Sequence, residues 1–291
     1  MSCGNNVRQL GLGLQTYEST FKMLPSSLRP TTPDASGNFA GWSSLGQLLP
    51  YLEQDNLYKT INFDVSYSAQ SFSISSTKIP VFTCPSEINA RPKRDASGVA
   101  VHFPPNYAAN QGTWLVFNPI TQEGSQGAFT HYNPLSISQI YDGLSNTLCF
   151  SEVKAYQSYY RNTSTMTLSQ PMPTTPAEIC SLAGDFKSEG AHVEWVDGKV
   201  HETGFTSVFT PNMKVPCDVG GKLIDMDWVS QSEGRSLTNP TFAAVTSRSY
   251  HPNGVMTVYM DGSVHFISNS VNRLVWQALS TRQGGETFES P

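Results

Sequence analysis

The chain has 291 residues, of which 38% are hydrophobic and only 14% charged, with 22 glycines and 19 prolines. That length holds one large domain or two modest ones, and the low charge suits a β-rich, loop-rich exported protein better than a helical cytosolic one. A formal charge of −5, with no basic run beyond Arg91, Lys93 and Arg94, argues against nucleic acid as a partner, because phosphate recognition needs clustered cations. No run of 18 apolar residues predicts a membrane span, and no signal-peptide pattern is present.

In chain order, Val7, Leu10, Leu14 and Tyr17 predict an N-terminal helix buried on one face. Gly11 and Gly13 weaken its propensity by about 1 kcal/mol each against Ala, and allow close approach to a sheet. Pro25–Gly41 reads as a loop. Leu45, Leu48, Leu49, Leu52 and Leu57 predict a second helix over Trp42–Tyr58, kinked or split at Pro50. From there short strands are expected at Ile79–Cys84, Thr113–Phe117, Ala128–Phe129, Thr147–Val153, Val193–Trp195, Lys199–Phe209, Val255–Met260 and Ser263–Ile267. Leu135–Tyr141 reads as a short helical turn, Asn162–Pro176 as an exposed loop and Val271–Ser280 as a terminal helix.

Ser249–Ile267, SYHPNGVMTVYMDGSVHFI, is the most patterned stretch. Two alternating runs flank Asp261-Gly262, which predicts a hairpin with a type I′ turn. Both runs are apolar on nearly every residue, so the hairpin is expected inside the main sheet. His251 stands ten residues before Asp261, an H-x9-D-G spacing that hairpin physics does not require. With this motif the chain resembles the bacterial secreted proteins of unknown function that carry a prepilin-type N-terminus and end in an H-x9-DG domain. The blocks NNVRQLGLGLQTYESTFKMLP (Asn5–Pro25), GWSSLGQLLPYLEQDNLY (Gly41–Tyr58), IPVFTCPSE (Ile79–Glu87) and NYAANQGT (Asn106–Thr113) occur in that family's order. So do DGLSNTLCFSEVKA (Asp142–Ala155), HVEWVDGKVHETGFT (His192–Thr206) and QALSTRQGGE (Gln277–Glu286).

The resemblance implies an α+β fold, with a pilin-like N-terminal helix on an antiparallel β-sheet and an additional β-rich region. One compact unit, 1–291, is expected: a helix-and-sheet core from 1–155 plus 246–291, and an insertion at 156–245. It also implies a cell-envelope or extracellular location. Measured against the family's leader and long apolar helix, Met1 stands where that helix is ending, which implies a shortened chain whose assembly partners would bind through the absent helix. Cys3 and Cys84 lie in family-like blocks, which implies a bridge between them. Cys180 and Cys217 could form a second bridge, leaving Cys149 as a buried free thiol.

Three places could carry chemistry. If Asp197-Gly198 is a hairpin turn, then His192, Glu194 and His201 share one sheet face. Two imidazoles and a carboxylate there could bind a metal or polarise a water; the plainer reading is a polar face with Glu194 and His201 as a cross-strand pair. The acidic turns Asp142, Ser145 and Asn146, with Glu152 nearby, and Asp261 and Ser263 offer oxygens to Ca²⁺. The resemblance to calcium-holding pseudopilins supports Ca²⁺ by class only, and a turn needs no ion. His251 could be a ligand or could cap the adjacent turn. Nucleophile-elbow, H-E-x-x-H, C-x-x-C and G-x-G-x-x-G motifs do not occur.

Two main functions follow. One is a non-catalytic, pseudopilin-like, calcium-binding envelope protein of the type II secretion kind. The other is a calcium- or other metal-dependent hydrolase of a small ester or lactone, such as an acyl-homoserine lactone. A solute- or glycan-binding module is the weaker alternative.

Overall fold

A computed structural model describes residues 2–32, 41–163 and 166–286. The fold is α+β. A helix over Ser2–Phe21 buries Val7, Leu10, Gly11 and Leu14, the stripe expected of a helix with one side in the core. This stripe lies on the strand Gly254–Tyr259. Gly11 sets the approach: a Cβ there would stand 2.7 Å from Val258 Cγ2. The Cys3–Cys84 disulfide ties the first turn of the helix to the chain beyond Pro80–Phe82, with Cα atoms 5.0 Å apart. Among the described residues no helix is long and apolar enough to cross a membrane.

The helix expected over Trp42–Tyr58 is divided. Trp42 and Ser43 instead pair with Arg29 and Leu28 as two-residue strands. Leu28 and Arg29 belong to the predicted loop Pro25–Gly41, of which residues 33–40 lie outside the described residues. Ser43 then caps a single turn, Ser44–Gln47. A 3₁₀ turn at Leu49–Leu52 carries Pro50 near its start, and Glu53 at φ 60° ends it before the turn Asp55–Tyr58. Pro50 has no N–H to continue an α-helical ladder. Leu45, Leu48, Leu49 and Leu52 are nonetheless all buried, so their spacing reported burial and not one helix. Ile79–Cys84 is likewise no strand; its centre is the 3₁₀ turn Pro80–Phe82. Ala128 and Phe129 are buried without strand pairing.

The first sheet runs in the order Gly204–Phe205, Tyr107–Asn110, Leu148–Glu152, Gly254–Tyr259, Val264–Ser268. Its pairings are antiparallel except the first. The hairpin expected from the sequence forms, with two corrections. Gly254–Tyr259 is interior, but Val264–Ser268 is the sheet edge, and Phe266 is 50% exposed there. The turn is not type I′. Gly262 N–H donates to Tyr259 O at 2.9 Å, and only Gly262 of the pair has positive φ, at 85°. Met260 and Asp261 are therefore the central turn residues, and Gly262 is the left-handed residue that follows in a three-residue loop.

The second sheet has the order Asp185–Ala191, Gln157–Arg161, Lys222–Val229, Thr241–Ala244, Leu115–Asn118, Glu123–Gly124, with Pro216–Val219 also on Lys222–Val229. Five of its seven strands come from 156–245 and two from 115–124. Its separate core stacks Trp114 on Trp228 at 5.4 Å, beside Phe242. The Cys180–Cys217 disulfide ties the helix Pro176–Leu182 to this layer, and Cys149 is a buried free thiol in the first sheet.

Candidate functional site

His192–Thr206 does not form the expected hairpin. His192 has φ 52°, and its N–H donates to His201 O at 2.9 Å, which closes a loop. Asp197 Oδ1 accepts the Lys199 N–H at 3.0 Å, and the chain turns into the helical turn Val200–Thr203 where a return strand was expected. Gly198 is needed for close approach: a Cβ there would stand 2.4 Å from Ser27 O. The predicted shared face of His192, Glu194 and His201 therefore does not exist.

The loop brings Glu194 and His201 to one cavity and turns His192 away from it. The cavity holds about 390 Å³, within the range of small-ligand sites. Tyr67, Lys93, Glu194, Asp197, Lys199 and Glu202 bring most of its chemistry. Glu194 Oε1 accepts from Lys93 Nζ at 2.7 Å, and Glu194 Oε2 from Tyr67 Oη at 3.1 Å. Asp197 Oδ2 accepts from Tyr67 Oη at 2.7 Å and from Lys199 Nζ at 2.9 Å. Glu202 Oε2 accepts the Val193 and Glu194 backbone N–H groups at 2.8 and 3.1 Å. His201 Nε2 stands 3.7 Å from Glu202 Oε1.

Burial divides the protonation states of these groups. Desolvation first, and the Glu194 charge second, push the Glu202 carboxyl well above the usual carboxylate range. Burial also works against an ionised Asp197, but Lys199, His201 and the hydrogen bonds outweigh it and hold that carboxyl low. Desolvation pulls His201 down to about 4, against the attraction of Asp197 and Glu233. Lys93 and Lys199 are held above the ordinary lysine value, because neighbouring carboxylates overcome their burial. The cavity thus sets a carboxyl that burial holds towards its protonated form, Glu202, beside a carboxyl held low, Asp197, an imidazole held low, His201, and two ammonium groups.

Behind the cavity, Glu233 Oε1 accepts the Val200 N–H at 2.7 Å and lies 3.3 Å from His131 Nε2, which holds the turn carrying His201 and Glu202. His192 packs on the other side. Its Nδ1 lies 3.0 Å from Glu202 O and its Nε2 4.0 Å from Asp227 Oδ2. Burial pulls His192 down to about 3 and pushes Asp227 up to about 6.

The acidic turns lie elsewhere. Asp142 accepts the Gly284 and Gly285 N–H groups at 2.7 and 2.8 Å, and Asn146 Nδ2 donates to Asp142 O at 3.0 Å. Asp261 Oδ1 accepts from Ser263 N and Oγ at 2.8 and 2.6 Å, and Asp261 N–H donates to Leu144 O at 3.2 Å. The fold therefore sets the 142–146 turn, including exposed Ser145, against the 261–263 turn. His251 belongs to neither, because the strand Gly254–Tyr259 separates it from Asp261. Its ring does not cap the adjacent turn but reaches Glu152 Oε1 at 3.0 Å. Among the described residues, one set of three or more His, Cys, Asp or Glu ligand atoms lies mutually within 4.8 Å: Cys3, Cys84, Glu152 and His251. Among the described residues, neither the cavity carboxylates nor Asp142 and Asp261 form such a set.

The sequence reading missed Tyr67, Lys93, Lys199 and Glu202 as cavity residues and took Asp197 for a turn residue. One signal was available. Glu194, Asp197, Lys199 and Glu202 fall within nine residues of a chain that is only 14% charged, and such density among Trp195, Val196 and Val200 marks charges held for a reason.

The chain belongs to a family of proteins of unknown function (DUF1559), which it matches over residues 1–274. No curated protein and no solved structure matches it.

Proposed function

We propose that the protein is a pilin-like exported protein whose cavity between Tyr67, Glu194 and Glu202 binds a small polar molecule and hydrolyses an ester or lactone bond. The observation that carries this reading is the cavity itself, where carboxyl, imidazole and ammonium groups with separated protonation states converge on open space. Buried charges are costly to fold, and a ligand-facing role accounts for keeping so many together. In the reaction Glu194 takes a proton from water, and the oxygen adds to the ester carbonyl carbon. Lys93 and Lys199 offset the negative charge on the carbonyl oxygen. Glu202 gives its proton to the departing alkoxide, so that ester and water become acid and alcohol, and proton exchange with solvent then returns Glu194 and Glu202 to their starting states. The step runs on protein groups alone.

The helix Ser2–Phe21 lying on an antiparallel sheet supports the pseudopilin-like reading, and two disulfides support an oxidising compartment. The test is hydrolysis of a generic ester and a γ-lactone, each with Ca²⁺ and with a chelator. Turnover that falls by about 10²–10⁴ in Glu194→Gln and in Glu202→Gln is the expected result. Absence of turnover under every condition, or full turnover in both variants, rules the reading out. Turnover lost on chelation and restored by one ion moves the mechanism to a metal.

A further inference from the structure

The set Cys3, Cys84, Glu152 and His251 lies outside the cavity, at the junction of the N-terminal helix and the first sheet. His251 Nε2 is 3.0 Å from Glu152 Oε1 and 3.8 Å from Cys84 Sγ. Cys3 Sγ is joined to Cys84 Sγ. Cys3, Cys84 and Glu152 are buried and His251 is partly so. Each residue is positioned by its own element: Cys3 by the helix, Cys84 by the chain after the 3₁₀ turn, Glu152 by the end of Leu148–Glu152. Glu152 is further fixed because its Oε2 accepts the Met256 N–H at 2.8 Å, leaving Oε1 aimed at His251. A space of about 250 Å³ lined by Cys3, Gly4, His251, Pro252, Met256 and Phe266 opens beside the set.

Two sulfurs, one imidazole nitrogen and one carboxylate oxygen make the donor set of a tetrahedral zinc site. With Zn–S near 2.3 Å and Zn–N near 2.0 Å, tetrahedral donors stand about 3.3–3.8 Å apart. The Cys84–His251 and Glu152–His251 separations already lie close to that spacing. The two sulfurs do not, because they are bonded to each other. We propose that reduction of the Cys3–Cys84 disulfide turns this staple into a zinc site, so that the helix is held to the sheet by Zn²⁺ when the chain is reduced and by the disulfide when it is oxidised.

The chemistry balances with a thiol or phosphine reductant. Reduction breaks the S–S bond with two electrons and two protons; a dithiol reductant is itself oxidised to its disulfide, and a phosphine takes the oxygen of one water to become its oxide while that water supplies the two protons. Zn²⁺ then replaces one proton on each thiol and bonds both sulfurs, His251 Nε2 and Glu152 Oε1. Either link performs the same mechanical task, which suits a chain that meets a reducing compartment during synthesis and an oxidising one later.

The experiment reduces the whole chain with a phosphine in the presence of Zn²⁺ and then removes free metal. One zinc per chain, with near-ultraviolet circular dichroism like that of the oxidised protein, is expected. Co²⁺ in place of Zn²⁺ should show thiolate-to-cobalt charge-transfer absorption. His251→Ala, and separately Cys3→Ser, should weaken zinc binding by at least about tenfold. Zinc should shield Cys3 and Cys84 from alkylation while Cys180 and Cys217 react. Reduced chain that carries no zinc, or that unfolds with zinc present, overturns the proposal. So does zinc binding unchanged by both variants, since the metal would then sit on Cys180 and Cys217. The oxidised protein is the control and should hold no zinc at this place. Ester hydrolysis is not a readout here, so failure of the cavity reading leaves this test standing.

Discussion

Tyr67 Oη lies 2.7 Å from Asp197 Oδ2, joining residues 130 apart in sequence across the floor of the cavity. Tyr67 is 8% and Asp197 3% exposed, so the bond is made away from bulk solvent. Tyr67→Phe removes the donor and leaves Lys199 as the main support of the Asp197 charge. Hydrogen bonds to charged groups contribute about 1.5–3 kcal/mol, and a loss of that size is expected in urea unfolding of the variant. A loss under about 0.5 kcal/mol would show that the phenol is dispensable to the fold.

Glu202→Gln keeps an oxygen to accept from Val193 and Glu194 but removes the ionisation. In the folded parent the Glu202 pKa is raised, mainly by burial. A raised carboxyl contributes stability that is fully present below its unfolded value, about 4.3, and is lost as pH rises through the folded value. The glutamine variant escapes that loss. Its stability relative to the parent should therefore increase from pH 5 to pH 8, as read by paired denaturant titrations. A difference that is flat, or that runs the other way, would place a charged Glu202 in the folded protein at neutral pH.

Gly11→Ala sets helix propensity against packing. Propensity favours alanine by about 1 kcal/mol. The new methyl would stand 2.7 Å from the buried Val258 Cγ2, and overpacking costs about 1–3 kcal/mol. A net loss of about 1 kcal/mol is expected. Gly13→Ala meets the end of Leu52 at 3.0 Å and Tyr51 O at 3.6 Å, and should cost less. A stabilised Gly11→Ala variant would mean that the helix can lift from the sheet.

The Cys180–Cys217 bridge closes a loop with a sequence separation of 37. Loop-closure entropy for that length is about 4 kcal/mol. The double variant Cys180→Ala/Cys217→Ala should lose about 3–4 kcal/mol in guanidinium unfolding, while the Cys3–Cys84 bridge stays intact on mass mapping. A loss below about 1 kcal/mol would mean that strand pairing alone orders the segment.

Local order determined much of what the sequence alone could tell. The 3.6-residue stripe of Val7, Leu10 and Leu14 marks the helix, and the alternation through Val255–Tyr259 marks the central strand. Each pattern reports which side of a regular element is buried. The resemblance implied the Cys3–Cys84 bridge, whereas the Cys180–Cys217 bridge was one open pairing that the tertiary structure decided. A β-rich region over 156–245 and a strand at Thr113–Phe117 were expected, but the other strands of the second sheet escaped, because strands such as Asp185–Ala191 and Lys222–Val229 are partly exposed and carry charges, and so lack a clean alternation. The cavity was half legible. Glu194 and His201 could be named, but only the fold decided that they face Tyr67 and Lys93 and that His192 does not. The physical reason is that Asp197 bonds forward to the Lys199 N–H and Gly198 packs against Ser27 O. Those contacts, one of them to a residue 171 positions away, turn a D-G dipeptide from a hairpin into a loop before a helical turn. Turn chemistry is local, but the choice between two turns with similar local energies belongs to whatever the rest of the chain packs against them.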